Sequence, residues 1–147
     1  MHPPIGMAVK VGNVLRLRKT LYGLKQSPRE WNANLDNYMI KMKFIRTNAD
    51  SCVYIRTTNS SVVIIAVYVD DLIIAGTSLS LVESVKSDFH KRYKIKDLGE
   101  LQYVLGVRVD QNSAQKIIQL SQQTYIVDML SKYNMLDCRV VDTPMES

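Results

Sequence analysis

The sequence predicts an α+β fold, an antiparallel sheet with helices packed on one face, in a chain of 147 residues. Three observations support this prediction. Three segments carry apolar residues at helical spacing, five segments carry strand-like apolar runs or alternation, and short turn-rich loops separate neighbouring strands. Because roughly 100–200 residues are typical of one domain, we expect a single domain over residues 1–147.

Three helices are expected, and two of them begin with a capping signal. Ser27 as the N-cap, Pro28 at the first helical position and Glu30 form a capping box for the first helix. A second capping box, from Ser80 to Glu83, opens the second helix, and a third helix covers residues 122–135. Their apolar stripes are Trp31, Leu35, Tyr38, Met39 and Met42; Leu81, Val82, Val85 and Phe89; and Ile126, Met129, Leu130 and Tyr133.

Five strands are expected between and after these helices. Residues 52–56 and 62–67 flank a turn-rich loop and form a hairpin, and residues 72–75 form a third strand that ends at Gly76. Residues 101–109 alternate between apolar and other side chains, which predicts one half-buried strand. We expect it to pair with residues 117–120 across the loop at residues 110–115.

The net charge of +5 is concentrated in the first third of the chain. Residues 1–50 hold nine Lys or Arg against three Asp or Glu, whereas the remainder is close to neutral. Such a one-sided excess is typical of a surface that binds a polyanion such as nucleic acid, and it also fits a solvated basic face. No apolar run reaches the roughly 18 residues of a transmembrane helix. We expect an intracellular protein, cytoplasmic or nuclear, with no membrane partner.

Asp70 and Asp71 lie between two strongly apolar segments within residues 62–74. One interpretation is a polar hairpin turn, the commonest use of Asp in a loop. The other is a site for Mg²⁺ (or Mn²⁺), because hard divalent cations prefer carboxylate oxygens. The flanking strands are very hydrophobic for a solvent-facing tip, and Tyr68 and Val69 are poor turn residues, which favours the metal site.

Several motifs together resemble one protein family. Tyr68-Val69-Asp70-Asp71 resembles the metal-binding motif of reverse transcriptases, and residues 21–31, Leu-Tyr-Gly-Leu-Lys-Gln-Ser-Pro-Arg-Glu-Trp, resemble the hallmark of copia-type (Pseudoviridae) retrotransposon polymerases. Further short motifs stand in the family's order: Pro3-Pro4-Ile5-Gly6, Asp50-Ser51-Cys52-Val53-Tyr54, Lys96-Asp97-Leu98-Gly99, Leu105-Gly106, Leu120-Ser121-Gln122 and Thr143-Pro144-Met145. The resemblance covers essentially the whole chain and indicates a palm region.

The resemblance implies an RNA-directed DNA polymerase, which performs two-metal nucleotidyl transfer onto a primer 3′-hydroxyl. It also implies RNA template, DNA primer and deoxynucleoside triphosphate as partners and Mg²⁺ (or Mn²⁺) as the cofactor. Asp70 and Asp71 would be catalytic metal ligands at the tip of the palm hairpin.

The same resemblance assigns roles to further residues. Those implied at the nucleotide, template or primer terminus are Gly23, Lys25, Gln26, Tyr68 and Val69. Arg16, Arg18 and Lys19 would attract the nucleic-acid backbone, and Leu105 and Gly106 resemble the primer grip. Trp31 lies on an apolar stripe, so it is expected in the core rather than as a platform on which bases stack.

One departure from the family pattern concerns the third catalytic carboxylate, an Asp on an upstream palm strand. Residues 1–29 contain no Asp or Glu. We therefore expect a partial domain, palm and start of thumb without fingers or first catalytic strand, that is inactive alone and is completed by a further polypeptide. The alternative is a retroelement-derived, non-catalytic domain that binds nucleic acid or protein.

Overall fold

The computed structural model describes residues 3, 5–8, 10 and 12–140. Pro4 and the motif at Thr143–Met145 lie outside the described residues. The chain forms two compact units, Met1–Lys94 and Ile95–Ser147, which we call the first and second units. Their described parts contain three helices and seven strands, and every strand pair is antiparallel. The predicted α+β class is confirmed, with two sheets where the sequence indicated one.

The first unit contains two helices and a four-stranded sheet of order β1-β2-β3-β4. Its elements are α1 (Ser27–Lys41), β1 (Ile45–Arg46), β2 (Val53–Thr58), β3 (Ser61–Tyr68), β4 (Asp71–Gly76) and α2 (Leu79–Arg92). The three predicted strands are confirmed and are slightly longer than expected. β1 has no counterpart among the predicted strands, because two residues are too few to carry a strand pattern.

The core of the first unit lies between the helices and one face of this sheet. Tyr54, Val63 and Ile65 alternate with more exposed neighbours, and Tyr54 pairs with Ile65 in the ladder, so all three point to the same side. They are buried together with Leu35 and Met39 of α1, Phe44, and Val85 and Phe89 of α2. The predicted apolar stripes of both helices therefore face the core.

A polar contact joins this core to α1. The Tyr54 hydroxyl donates to Asp36 Oδ1 at 2.8 Å. Burial, together with the Asp36 hydrogen bond and negative charge, raises the pKa of Tyr54 to about 12. The neutral phenol is therefore strongly favoured in the folded first unit.

Both predicted N-caps are wrong by one or two residues. Gln26 occupies the N-cap of α1 without a side-chain cap, because the Ser27 hydroxyl donates instead to the Leu21 carbonyl. In α2 the N-cap is Ser78, whose hydroxyl accepts from the backbone of Leu81. Thr77 still donates its backbone N–H to the Val62 carbonyl, so Ser78 is the first residue free of the sheet.

The second unit contains a three-stranded sheet and one helix. Its elements are β5 (Tyr103–Val104), β6 (Val107–Asn112), β7 (Ile117–Ser121) and α3 (Gln123–Lys132), and the sheet order is β5-β6-β7. The predicted pairing across the loop at residues 110–115 is confirmed, because β6 pairs with β7.

The prediction of one strand over residues 101–109 is wrong. Leu105 (φ +51°) and Gly106 (φ +81°) form a two-residue turn that folds β5 back onto β6. Positive φ at both central residues is the geometry of a type I′ hairpin turn. The alternating pattern hides this turn, because an apolar Leu stands where Asn or Asp is usual.

The helices do not provide a membrane span. Among the residues with described structure, no helix combines the length and apolar character needed to cross a membrane.

Candidate active site

The two adjacent aspartates lie at the tip of the β3–β4 hairpin. Tyr68 pairs with Asp71 as the last rung of the ladder, and Val69 and Asp70 form the two-residue turn between them. Val69 has a φ of +54°, which is unusual for a β-branched residue. Both aspartates thus lie at the tip of a hairpin, as predicted from the sequence.

The alternation of side chains along β3 determines which side of the sheet the side chains at this tip face. Val63 and Ile65 point into the core, so Ile64 and Tyr68 point to the opposite side, which we call the open face. Asp71 shares this face with Tyr68, because ladder partners lie on the same side of an antiparallel pair. Tyr68 is 55% exposed, and both aspartates are exposed.

The carboxylates of Asp70 and Asp71 form no hydrogen bond or ion pair with any residue that the structure describes. That same part of the chain contains no group of three or more His, Cys, Asp or Glu residues that could hold a metal ion. The donor set is therefore two exposed carboxylates with free oxygen lone pairs. Such a set fits Mg²⁺ or Mn²⁺, with water completing the coordination.

A long-range hydrogen bond connects the hairpin turn to α1. The Trp31 indole N–H donates to the Val69 carbonyl at 3.0 Å. Trp31 is half-buried, and its ring meets Tyr93 edge-on at 5.4 Å between centroids. Trp31 is thus not a fully buried core residue; it joins the motif at residues 21–31 to the aspartate turn. The sequence signal for this role is a donor-bearing aromatic residue at the end of that motif.

The segment before α1 presents polar residues around a tight turn. The Leu24 N–H donates to the Leu21 carbonyl, and Gly23 has a φ of +89°, which only glycine adopts readily. The Ser27 hydroxyl, bound to the same Leu21 carbonyl, fixes this turn to the start of α1. Lys25 and Gln26 follow the turn and are exposed.

The other predicted site residues lie farther along the chain in either direction. Arg16, Arg18 and Lys19 are exposed and belong to no helix or strand. Leu105 and Gly106 form the β5–β6 turn of the second unit, and Leu105 is 56% exposed. Their roles in binding nucleic acid stay predictions.

Comparison with known proteins connects these features to a family. The family described as reverse transcriptase (RNA-dependent DNA polymerase) matches residues 1–147. The chain is 36% identical, over 99% of its length, to the retrovirus-related Pol polyprotein from transposon TNT 1-94 of Nicotiana tabacum. It is 37% identical, over 90% of its length, to the corresponding polyprotein from transposon RE1 of Arabidopsis thaliana.

A third relative is shorter. The chain is 37% identical, over 85% of its length, to the putative transposon Ty5-1 protein of Saccharomyces cerevisiae and covers 40% of that protein. It spans 11% of the tobacco polyprotein and 9% of the Arabidopsis one. No solved structure matches the chain. The full-length match and these relatives show that the chain belongs to the reverse transcriptase (RNA-dependent DNA polymerase) family, among copia-type retrotransposon Pol polyproteins.

Proposed function

We propose that this chain is the palm part of an RNA-directed DNA polymerase and carries two of its catalytic carboxylates. The observation that carries the proposal is the exposed, internally unpartnered pair Asp70 and Asp71 at a hairpin tip in a chain of this family. Since the chain spans about a tenth of the two plant relatives' lengths, the complete reaction is proposed for the larger assembly.

Asp70 and Asp71 would hold Mg²⁺ or Mn²⁺ on the open side of the hairpin. Divalent ions in such a site activate the attacking 3′-hydroxyl and stabilise the leaving oxygen in phosphoryl transfer. Tyr68, beside Asp71 on the open face, would support the primer terminus together with Val69. This arrangement keeps the carboxylates next to the reacting end of the primer.

The basic N-terminal third would guide the nucleic acid. Gly23, Lys25 and Gln26 would lie near the template and the incoming deoxynucleoside triphosphate, where the exposed turn allows close approach to the backbone. Arg16, Arg18 and Lys19 would neutralise phosphates without sequence preference. Leu105 and Gly106 of the second unit would act as a primer-grip-like turn. An intracellular location, cytoplasmic or nuclear, follows from this proposal.

The site needs a third carboxylate from elsewhere. Two adjacent carboxylates on one hairpin approach a pair of ions from one side only, whereas two-metal sites place the ions roughly 3.5–4 Å apart between bridging ligands. The outer edge of β4 has no strand partner among the described residues, so it can accept a further strand. A polypeptide that adds this strand and its Asp would complete the site.

Primer extension tests the proposal directly. We expect no measurable cDNA synthesis when the purified chain is incubated with Mg²⁺, deoxynucleotides and a labelled DNA primer on an RNA template. Adding the upstream segment of a copia-type relative in trans should restore synthesis, and Asp70→Asn should abolish it. Extension by the chain alone that is abolished by Asp70→Asn would show that the third carboxylate lies within these residues.

Binding to duplex, combined with the synthesis assay in trans, separates the enzymatic proposal from the alternative, a non-catalytic nucleic-acid-binding domain. We expect the chain to bind RNA–DNA duplex without sequence preference and to release it as salt increases. Lys25→Glu should lower affinity and reduce the salt slope by about 1, whereas Lys116→Glu, the same charge reversal in the second unit, should not. Binding without restored synthesis in trans would favour the non-catalytic alternative.

A further inference from the structure

The Val69 carbonyl at the aspartate turn is held by a side chain from a distant part of the sequence. Trp31 is 38 residues upstream of Val69, and its indole N–H donates to this carbonyl at 3.0 Å. The carbonyl belongs to the planar peptide group that ends at the nitrogen and Cα of Asp70. Fixing this oxygen therefore fixes the plane from which the Asp70 side chain leaves the backbone.

The turn needs such support because its own sequence disfavours it. Val69 is β-branched and has a φ of +54°, a region that L-residues with branched side chains rarely occupy. Glycine, asparagine or aspartate would adopt this conformation more readily. A backbone in an unfavourable region persists when its surroundings hold it, and such positions concentrate at functional sites.

Trp31 is itself held in place on its other side. Its ring contacts Tyr93 edge-on, and Tyr93, the C-cap residue of α2, donates its hydroxyl to Asn34 Oδ1 at 2.9 Å. Asn34 lies one turn after Trp31 on α1. The indole is thus fixed between α1 and the end of α2, with its N–H directed at the turn.

We propose that Trp31 is a positioning residue for the metal site, because its indole N–H holds the Val69–Asp70 peptide in the orientation that presents the Asp70 carboxylate. This inference rests on the proposed function of Asp70 and Asp71. The fully buried residues of α1 are Leu35 and Met39. Removing the indole N–H should therefore affect the turn more than the fold.

A magnesium titration followed by NMR tests this role with the full chain. Trp31 is the one tryptophan of the chain, so the spectrum contains a single indole N–H signal. In the wild type, we expect this signal and the Asp70 and Asp71 amide signals to shift together with one apparent Kd for Mg²⁺. Trp31→Phe, which keeps a ring but has no donor, should raise the Kd from the amide shifts about tenfold.

Tyr38→Phe is the matched control. It also removes a hydrogen bond from an aromatic side chain of α1 to a backbone carbonyl, that of Asp88, but away from the turn. We expect its Mg²⁺ affinity to equal that of the wild type. An unchanged Kd in Trp31→Phe, or an equal loss in Tyr38→Phe, would overturn the positioning role.

Two further outcomes keep the test decisive. If Trp31→Phe does not fold, the wild-type indole signal decides: we expect slow exchange with solvent, and rapid exchange would overturn the proposal. If the wild-type amides of Asp70 and Asp71 do not respond to Mg²⁺, the proposed metal site fails, and the positioning role fails with it. Wild-type binding combined with an unaffected Trp31→Phe variant overturns the positioning role alone.

Discussion

The two units differ in how they use similar amphipathic patterns. Among the described residues, the second unit has one buried apolar side chain, that of Val109. The others belong to the first unit: Leu35, Met39, Phe44, Tyr54, Val63, Ile65, Val85 and Phe89. In the second unit α3 has the most amphipathic pattern of the three helices, yet none of its residues is buried. An apolar stripe therefore predicts a helix but not what covers that helix.

This difference in burial follows from the number of helices available to cover each sheet. In the first unit, α1 and α2 bring two apolar stripes to one face of a four-stranded sheet. In the second unit, β5 has two residues, and exposed apolar side chains remain on β7 and α3, among them Ile118 and Ile126. We expect the first unit to carry most of the stability and the second unit to open more easily.

The largest expected effect comes from matched isoleucine truncations in the two sheets. Ile65→Ala on β3 removes a fully buried side chain and should lower the free energy of unfolding of the first unit by about 2–5 kcal/mol. Ile118→Ala on β7 removes one that is 68% exposed and should cost less than about 1 kcal/mol. Denaturant unfolding followed by Trp31 fluorescence measures the first, and hydrogen exchange of the β6–β7 amides measures the second. Similar losses for both variants would contradict the contrast between the units.

A smaller effect depends on pH and concerns only the first unit. The pKa of Tyr54 is about 12 in the fold against 10 for a free phenol, so its stabilisation is complete below pH 10 and is lost as pH rises toward 12. The loss should reach about 2 kcal/mol. Urea midpoints between pH 9 and 11.5 measure this loss. Tyr54→Phe should be less stable than the wild type at pH 9, and its free energy of unfolding should change less with pH across this range. Equal slopes for both proteins would refute the linkage.

The smallest effect should be a stabilisation of the second unit. Leu105→Asn places a residue that tolerates positive φ at the first position of the type I′ turn. It should raise the free energy of unfolding of the second unit by about 0.5–1 kcal/mol. Leu98→Asn, the same change at an exposed loop position without positive φ, is the control and should add nothing. Hydrogen exchange at Tyr103 and Arg108 measures the result. If Leu105 serves the primer grip, Leu105→Asn should also weaken binding to duplex.

The sequence predicted those parts of the fold that depend on local patterns. The stripes of α1 and α2, the hairpin of β2 and β3 and the aspartate turn follow from periodicity and from residues close together in the chain. The predicted start of α2 is two residues too late, because Ser78 and Ser80 are both good N-cap residues. The long-range backbone hydrogen bond from Thr77 to Val62 decides between them. The Trp31–Val69 contact joins residues 38 positions apart. The local sequence offers a donor-bearing aromatic residue at position 31, but it does not indicate which distant carbonyl that donor reaches.

The outer edge of β4, which pairs with no strand among the described residues, also affects how the isolated chain behaves in solution. This strand, Asp71-Leu72-Ile73-Ile74-Ala75-Gly76, contains neither Lys nor Pro, the residues with which natural proteins commonly protect sheet edges. Without the strand that we propose for it, its free N–H and C=O groups are a template for edge-to-edge pairing between copies. Aggregation that increases with protein concentration is therefore expected when the chain is studied without a partner strand along β4.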